Sequence, residues 1–502
     1  MIDYTNETDL TARQSDYATF LPALSTFYAL FVGRQRRGLE PLDETRKGSG
    51  EPYIPLNRIP SHLTHGVESI NWLAKEGMWR YKWSLHSAGH ASLDLNKDMY
   101  RESQYRERDR QYSWLLGDSG GFQIGKGKWE GDWRANSGCS LASKKRDGVL
   151  KWMDAFMDYG MILDIPAWVS RSPEGAKATG ISTYAEAVKA TRINNDHFMK
   201  NKTGACKFLN VLQGENHADA EDWYQQMKDY CDPKKYPSTH FNGWSMGGQN
   251  MCDIHLALKR LVALRYDGLL EKGIHDVMHF LGTSKLEWAT LLTDVQRAVR
   301  KYHNENFTIT FDCASPFLAT ANGQIYCELE TENKTKWVYR MVPSIDDKAL
   351  STDTTPFGQA FVREGKHPSF MDSPVTKELS AKDICIYGPG DLNKIGKEGK
   401  TSWDSFSYAI MMGHNVWMHI NAVQEANRQY DSGIFPAMLV EERFDRLFFK
   451  DIVEAIFATD NRDESEAVIE EFSKFWMSII GTRGATGKKT VNAQTKFGEL
   501  FE

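Results

Sequence analysis

Three aspartates follow short apolar runs in the middle of the sequence. Asp118 follows the run at residues 112–116, Asp164 follows a second run, and Asp312 follows the run at residues 307–311. Runs of this length and composition are typical of buried strands. A carboxylate that faces a ligand from the end of a strand can act as a nucleophile, a general acid or a general base.

The segment that follows Asp118 could bring the backbone close to a ligand. Residues 119–123 have the sequence SGGFQ, and glycine adopts positive φ angles and has no Cβ to obstruct a close approach. Phe122 offers a flat apolar face, and Gln123 offers an amide. The alternative interpretation of this segment alone is a strand, a tight turn and a solvated aspartate.

The same layout recurs along the chain. Gln213 follows a strand-like run at residues 207–212, and the pair Gly247–Gly248 ends another. Helix-like segments separate these runs from about residue 112 to 315, and such an alternation predicts a parallel sheet with crossover helices. We therefore predict an α/β fold, a (β/α)8 barrel of the TIM type with inserted loops and a helical C-terminal extension. The strand ends of such a barrel converge on one face, so their polar residues would line one pocket.

This set of residue types suits a flat, polar, uncharged ligand such as a nucleobase. Carboxylates accept hydrogen bonds from ring N–H and amino groups, an amide can donate to a carbonyl, and Phe122 can stack on a ring. Two carboxylates that flank a glycosidic carbon could act as nucleophile and general acid/base. Residues 484–489 resemble a phosphate-binding loop only superficially, because Thr482 stands in place of its first glycine and Lys489 in place of its Ser or Thr.

Composition limits the class of protein. The chain has 502 residues with a formal net charge of -6, so it is not a globally basic nucleic-acid binder. Its seven cysteines are scattered without a CxxC pair, which favours the reducing cytoplasm over a disulfide framework. The N-terminus is polar and acidic, unlike a signal peptide. The longest apolar stretch, residues 20–32, is predicted to be a buried helix, and Pro22 interrupts it, so we expect no membrane association.

The predicted organisation has three parts. Residues 1–60 would form an N-terminal segment of helix and loop, and residues 61–430 the barrel, with an insert at about residues 328–380. Residues 431–502 would form a helical C-terminal extension.

Residues 118–123, DSGGFQ, resemble the hallmark motif of the tRNA-guanine transglycosylase superfamily. Further motifs follow in the order found in that family. They are Leu212-Gln213-Gly214, Gly247-Gly248, Phe280-Leu281-Gly282 and Phe311-Asp312-Cys313. The resemblance covers about residues 112–315, and a weaker resemblance extends to about residue 430, where residues 412–415 are similar to the family's final His-Asn helix.

The resemblance implies roles for these residues. Asp312 would attack C1′ of the target guanosine and form a covalent glycosyl-enzyme, and Asp118 would be the acid/base. Asp164 would bind N1 and the amino group of the base, and Gln213 and the amide of Gly248 its carbonyl. The residues implied to bind the base are Asp164, Gln213, Gly247, Gly248, Phe122, Leu281 and Ser119.

The family's zinc site, a CxCxxC run and a later histidine, is not retained in this sequence. In the corresponding run, residues 383–388, only Cys385 matches, and His414 would be the fourth ligand. The site would therefore have two ligands, or three if Asp383 is counted. Structural zinc sites use four good ligands. We therefore expect Cys385 and His414 to be a degenerate remnant, with no metal and no other cofactor.

These departures resemble the DNA-modifying branch of the superfamily, the 7-deazaguanine DNA transglycosylases, and especially its phage-encoded members. The resemblance implies a pentosyltransferase that replaces guanine in DNA with a 7-deazaguanine such as 7-cyano-7-deazaguanine, and so protects phage DNA from restriction in the host cytoplasm. The target guanine would have to leave the base stack. The alternative is a tRNA-guanine transglycosylase that acts on tRNA.

Contacts with the DNA backbone would come from local basic segments. The residues in question are Arg36, Arg37, Lys126, Lys128, Lys144, Lys145 and Arg146. Two further alternatives remain open at this stage. A glycoside hydrolase on the same barrel would need water at the covalent intermediate and no base pocket, whereas the three strand-end aspartates argue against a catalytically inactive nucleic-acid binder.

Overall fold

The computed structural model of the protein describes residues 7–33, 58–75, 77–96, 102–106, 108–331, 337–386, 403–442 and 446–480. Eight parallel strands form its centre. They are β1 (Thr19–Pro22), β2 (Trp83–Ser87), β3 (Trp114–Asp118), β4 (Tyr159–Met161), β5 (Lys207–Leu212), β6 (Gly243–Met246), β7 (Val277–Phe280) and β8 (Thr308–Cys313). Two short antiparallel pairs lie outside the barrel, β9 (Gln324–Glu330) with β10 (Val338–Pro343), and β11 (Val440–Glu441) with β12 (Leu447–Phe448).

Helices surround the strands. They are α1 (Thr26–Gly33), α2 (Ser103–Arg106), α3 (Gly121–Gly125), α4 (Ser140–Phe156), α5 (Pro173–Thr179), α6 (Tyr184–Asn201), α7 (His217–Met227), α8 (Ile254–Tyr266), α9 (Leu286–Tyr302), α10 (Ser315–Ala321), α11 (Phe357–Arg363), α12 (Ala381–Ile384), α13 (Ser405–Asp431), α14 (Phe449–Ala458), α15 (Arg462–Glu471) and α16 (Ser473–Ile480). Short 3-10 helices span Gly66–Ile70, Ala167–Arg171, Lys228–Cys231, Gly248–Met251, Lys348–Thr352 and Ala437–Leu439.

The eight strands follow one another around a nearly closed barrel, in the order β1-β8-β7-β6-β5-β4-β3-β2. Every adjacent pair is parallel. The remaining gap, between β1 and β2, is spanned by a parallel bridge between Ala23 and Leu85, where the amide of Leu24 donates to the Leu85 carbonyl at 2.8 Å. The predicted α/β barrel of the TIM type is confirmed.

The first two strands lie outside the region in which the sequence predicts alternation. The segment at residues 20–32, predicted to be a single buried helix, is instead strand β1, a turn and helix α1. Pro22 ends the strand, because proline has no N–H to continue a ladder. The N-terminal segment 1–60 therefore supplies a barrel strand, so the predicted boundary at residue 60 does not separate it from the barrel.

Local sequence explains where two of the helices around the barrel begin. Asp253 caps α8 by accepting a hydrogen bond from the Leu256 amide at 3.2 Å, and α6 begins with a capping box between Thr183 and Glu186. Such caps satisfy N–H groups that have no partner within the helix. The strand ends are thereby held at fixed positions around the barrel rim.

The insert predicted at about residues 328–380 is folded where the structure describes it. It contains most of the β9–β10 hairpin, the 3-10 helix at residues 348–352 and α11. The long helix α13 packs against α9, α10, β1 and β9. Buried Asn415 of α13 joins these parts: its Oδ1 accepts from the Tyr326 amide at 2.9 Å, and its Nδ2 donates to Pro316, Thr320 and Gln324.

The C-terminal extension is helical, as predicted, but its elements differ in detail. The segment at residues 464–480 is two helices, α15 and α16, separated at Phe472. Helix α14 packs on α9, and α15 and α16 pack on α8. Residues 484–489, which resemble a phosphate-binding loop only superficially, lie outside the described residues. Among the helices that the structure describes, none has the length and apolar character needed to cross a membrane.

We expect Asn415→Leu to lower the free energy of unfolding by about 3–5 kcal/mol. The substitution leaves several buried backbone groups unpaired, at about 1–3 kcal/mol for each. Urea denaturation followed by circular dichroism measures this loss. Asn322→Leu is the matched control, because Asn322 is exposed. Equal stability of the two variants would contradict the role of Asn415.

Candidate active site

A cavity of about 370 Å³ opens at the carboxyl ends of the barrel strands. This volume is within the range of about 300–1,000 Å³ typical of small-molecule sites. The residues that line the cavity come from the carboxyl-terminal parts of the strands and from the segments that follow all eight of them. They are Ala23, Leu24, Ser25, Thr26, Leu85, Ser87, His90, Asp118, Gly121, Phe122, Gln123, Asp164, Pro166, Trp168, Gln213, Gly248, Met251, Leu281, Asp312, Ala314, Phe317 and Leu318.

The two glycines after Asp118 let the β3 loop approach its neighbours. Gly120 has a φ of 81°, in the left-handed region that favours glycine. A Cβ on Gly121 would lie 2.7 Å from the carbonyl oxygen of Asp164 and 3.1 Å from its Oδ1. Only glycine at residue 121 therefore allows the loops after β3 and β4 to meet, and this contact brings Phe122 to the cavity wall.

Asp164 and Gln213 form a hydrogen-bonded pair inside the cavity. The Nε2 of Gln213 donates to Oδ2 of Asp164 at 2.7 Å. Burial raises the pKa of Asp164 to about 7, and the nearby carboxylate of Asp118 adds to the increase, although the bond from Gln213 opposes it. Gly248, with a φ of 54°, lies beside the pair, and a Cβ there would be 3.0 Å from Oε1 of Gln213.

Asp118 is held by the end of the neighbouring strand β2. The hydroxyl of Ser87 donates to Oδ2 of Asp118 at 2.6 Å. Burial raises the pKa of Asp118, the Ser87 bond opposes this, and the charge of Asp312 raises it further. A raised pKa favours the protonated form of the carboxyl group, which is the form that can donate a proton.

Asp312 has two unequal carboxylate oxygens. Its Oδ1 accepts from the Gly282 amide at 2.8 Å and lies 3.2 Å from Nε2 of His279. Its Oδ2 is buried and has no hydrogen-bond partner within the parts of the chain that the structure describes. Asp312 lines the cavity, and Oδ1 is the carboxylate oxygen that the described residues hold by hydrogen bonds.

Apolar and aromatic side chains form the remaining walls. The rings of Phe122 and Trp168 lie with their centroids 5.9 Å apart, and Leu281 also lines the cavity. The Nζ of Lys126 lies 5.5 Å from the Phe122 ring centroid. A flat ring could be held among these walls while its polar edge meets Asp164 and Gln213.

The structure brings together most of the residues predicted for the site. Those that line one cavity are Asp118, Asp164, Gln213, Gly248, Asp312, Phe122 and Leu281. Ser119 and Gly247 are not among the residues that line it. Ser119 is buried, and the Gly247 amide donates to the Leu212 carbonyl at 2.8 Å. These two residues therefore do not form part of the cavity wall.

The predicted basic residues occupy different settings. Lys126, Lys128 and Lys144 are exposed, whereas Lys145 lies 4.8 Å over the ring of Trp129. Nε of Arg146 donates to the side chain of Asn194 at 2.5 Å, which occupies one of its donors. Arg36 and Arg37 lie outside the described residues.

Several cavity residues come from parts of the chain where the sequence predicted no strand. Ser87 ends β2 and His90 follows it, and Ala23 to Thr26 follow β1. The alternating run Trp83–Ser87 was the available signal for β2, since period-two patterns indicate half-buried strands. Trp168, which lies shortly after the run ending at Asp164, had no comparable signal.

His414 does not fit a zinc ligand. Its Nε2 lies 2.7 Å from the Tyr326 carbonyl, and its Nδ1 lies 2.9 Å from the hydroxyl of Ser373. Phe370 stacks on its ring at 5.2 Å, and burial lowers its pKa to about 4. Both ring nitrogens are thus used in structural contacts, Nε2 in holding α13 to β9 and Nδ1 in holding it to the insert.

The other two remnant positions are also occupied by structural contacts. The thiol of Cys385 is buried and lies 3.3 Å from the Ile345 carbonyl. Asp383 belongs to the capping box of α12 and accepts hydrogen bonds from Ser380. Within the described ranges, no group of three or more His, Cys, Asp or Glu residues is placed to hold a metal ion. The residues present do not fit a zinc site.

Comparison with known proteins gives no family: no family model matches the chain, and no curated protein is significantly similar to it.

We expect Asp164→Asn to raise the thermal unfolding midpoint at pH 8 by about 2–4 °C, and to raise it by a smaller amount at pH 5. The folded-state pKa of Asp164 is raised from 3.8 to about 7. Its ionisation therefore weakens the folded state progressively as the pH rises from about 4 to 7, and asparagine removes that cost.

Asp267→Asn is the control for this measurement, because hydrogen bonds and charge from Lys228 and Tyr224 lower the pKa of Asp267 despite its partial burial. A lowered pKa adds stability above the unfolded-state value, so this variant should be less stable at pH 8. A midpoint that falls in Asp164→Asn at pH 8 would contradict the assignment of a destabilising buried charge.

Proposed function

We propose that this protein is a base-exchange transglycosylase that replaces guanine in DNA with a 7-deazaguanine, such as 7-cyano-7-deazaguanine, through a covalent intermediate on Asp312. The observation that carries the proposal is the arrangement of Asp312 and Asp118 in one cavity. The first has a buried oxygen without a protein partner among the described residues, and the second is a carboxyl group with a raised pKa. A nucleophile and an acid/base are the two groups that glycosidic exchange requires.

The pair of Asp164 and Gln213 supports recognition of guanine. The carboxylate of Asp164 has two oxygens that can accept from N1–H and the exocyclic amino group. One amide hydrogen of Gln213 is used by Asp164, and the other, with the Gly248 N–H, can donate to the carbonyl of the base. Phe122 and Leu281 would cover the two faces of the ring.

In the first step, Oδ2 of Asp312 forms a bond to C1′ as the bond from C1′ to N9 of guanine breaks. The electron pair passes to N9, and the carboxyl group of Asp118 gives N9 its proton. The second step runs in reverse: Asp118 takes the N9 proton of the incoming base, N9 bonds to C1′, and the electron pair of the ester bond returns to Asp312. Atoms and charges balance over the two steps, and no cofactor is required.

The enclosure of the nucleophile favours exchange over hydrolysis. Asp312 is only 1% exposed, and its neighbours in the cavity include the apolar side chains of Ala314 and Phe317. An incoming base that fills the cavity would exclude water from the ester. The exposed Lys126, Lys128 and Lys144 give local positive charge for a nucleic-acid backbone.

Base exchange should be lost in Asp312→Asn by at least about a thousandfold, because an amide cannot attack C1′. The assay incubates the protein with duplex DNA and 7-cyano-7-deazaguanine and measures modified deoxynucleosides by mass spectrometry. The same incubation with tRNA tests the alternative substrate.

Asp294→Asn is a matched control, since Asp294 is also buried with its pKa raised to about 7, but it lies in α9, bonded to Tyr430. This variant should retain exchange. Exchange that survives Asp312→Asn would contradict the assigned nucleophile, and product in tRNA alone would contradict the assignment of DNA. If neither nucleic acid is modified, the proposed reaction with this base is wrong.

The affinity for free guanine should depend on the ionisation of Asp164. Its carboxylate must be charged to accept from both N1–H and the amino group, and its pKa is about 7 in the empty cavity. Affinity should therefore fall by up to about tenfold for each pH unit below 7. Calorimetric titrations of the protein with guanine between pH 5.5 and 8.5 measure this change in affinity.

Asp164→Asn is the control for the pH series. It should bind guanine weakly and with little pH dependence. If the affinity of this variant for guanine changed with pH as steeply as that of the wild-type protein, another group would control binding.

A further inference from the structure

His279 is a buried residue next to the proposed nucleophile. It lies in β7, and the strand register pairs it with Thr310 of β8. Asp312 comes two residues after Thr310, so both side chains lie on the same face of the sheet. His279 is fully buried, and Thr310 is 2% exposed.

The imidazole links Thr310 to Asp312. Its Nδ1 lies 2.9 Å from Oγ1 of Thr310, and its Nε2 lies 3.2 Å from Oδ1 of Asp312. A carboxylate can only accept, so Nε2 carries a hydrogen, and in a neutral imidazole Nδ1 would then accept from the threonine hydroxyl. The threonine thereby fixes both the tautomer and the orientation of the ring.

Both donors to Asp312 contact the same oxygen. Oδ1 accepts hydrogen bonds from Nε2 of His279 and from the Gly282 amide, whereas Oδ2 has no hydrogen-bond partner among the residues described. If Oδ2 bonds to C1′, Oδ1 becomes the carbonyl oxygen of the ester. Negative charge returns to Oδ1 when the ester bond breaks, and hydrogen bonds to an oxygen are stronger when it carries charge.

We propose that His279 is a positioning residue that directs Oδ2 of Asp312 towards C1′ and assists the departure of the carboxylate in the second step. This inference rests on the proposed function. It adds an asymmetry between the two steps: loss of the donor slows breakage of the ester more than its formation, because the donor stabilises the carboxylate relative to the ester. The covalent glycosyl-enzyme should then accumulate.

The test is His279→Leu, measured by exchange of labelled guanine into DNA. The covalent enzyme–DNA adduct present during turnover is quantified on a denaturing gel after rapid quenching. We expect turnover to fall by about tenfold or more, while the fraction of enzyme in the adduct rises several-fold. The Kd for free guanine should be unchanged, since His279 does not line the cavity.

Two further variants distinguish the hydrogen bond from the packing of the ring. His279→Gln should recover much of the turnover, because the amide nitrogen of glutamine can donate to Oδ1. Thr310→Val should shift the adduct fraction in the same direction as His279→Leu. His275→Leu is the control, because His275 is also fully buried but bonds to the Cys231 carbonyl at 2.8 Å; it should not change the adduct fraction.

The outcomes separate the inference from the proposed function. If wild-type protein forms an adduct that Asp312→Asn abolishes, and His279→Leu shows the same or a lower adduct fraction, the role of His279 is wrong and the proposed function stands. If wild-type protein forms neither adduct nor exchange product, the proposed function is wrong and the inference is overturned with it.

Discussion

The closure of the barrel between β1 and β2 is the constraint on which the site depends. These strands share only a narrow bridge, and side chains complete the contact: Tyr81 donates to the Phe20 carbonyl and Ser84 to the Pro22 carbonyl, each at 2.6 Å. Ser87 at the end of β2 is the residue that holds Asp118 of β3, and β1 pairs with β8, which carries Asp312. The closure between β1 and β2 therefore joins the side of the barrel that holds Asp118 to the side that holds Asp312.

Three carboxyl groups in one buried cavity create an electrostatic conflict. Burial raises the pKa of Asp118 and Asp164, and neighbouring carboxylates raise them further. Each carboxyl group has a different donor: Ser87 for Asp118, Gln213 for Asp164, and the Gly282 amide with His279 for Asp312. The three chemically identical side chains therefore have different surroundings within one cavity.

The sequence predicted the part of the fold in which strands and helices alternate and in which polar residues or glycines mark the strand ends. From β3 to β8, each apolar run ends in a polar residue or a glycine, and all six strands are present. The first two strands were missed for physical reasons. β1 is joined to a helix in one continuous apolar stretch. The alternating run of β2 is only 5 residues long and lies in an aromatic region without turn signals, so its period-two pattern did not stand out. Their pairing depends on closure, which is a property of the whole barrel.

Within the site, the sequence could predict residues at strand ends but not those that act through neighbours. Asp312 is predictable because it ends an apolar run. His279 looks like an ordinary polar residue inside a strand, and its contact with Asp312 arises only from the register of β7 against β8. A shift of one residue would turn its side chain to the opposite face. His414 illustrates the reverse case: its position suggests a ligand, but hydrogen bonds to Tyr326 and Ser373 give it a purely structural role. Residue type and order identify candidates for chemistry, whereas strand register and burial decide which of them reach the reacting atoms.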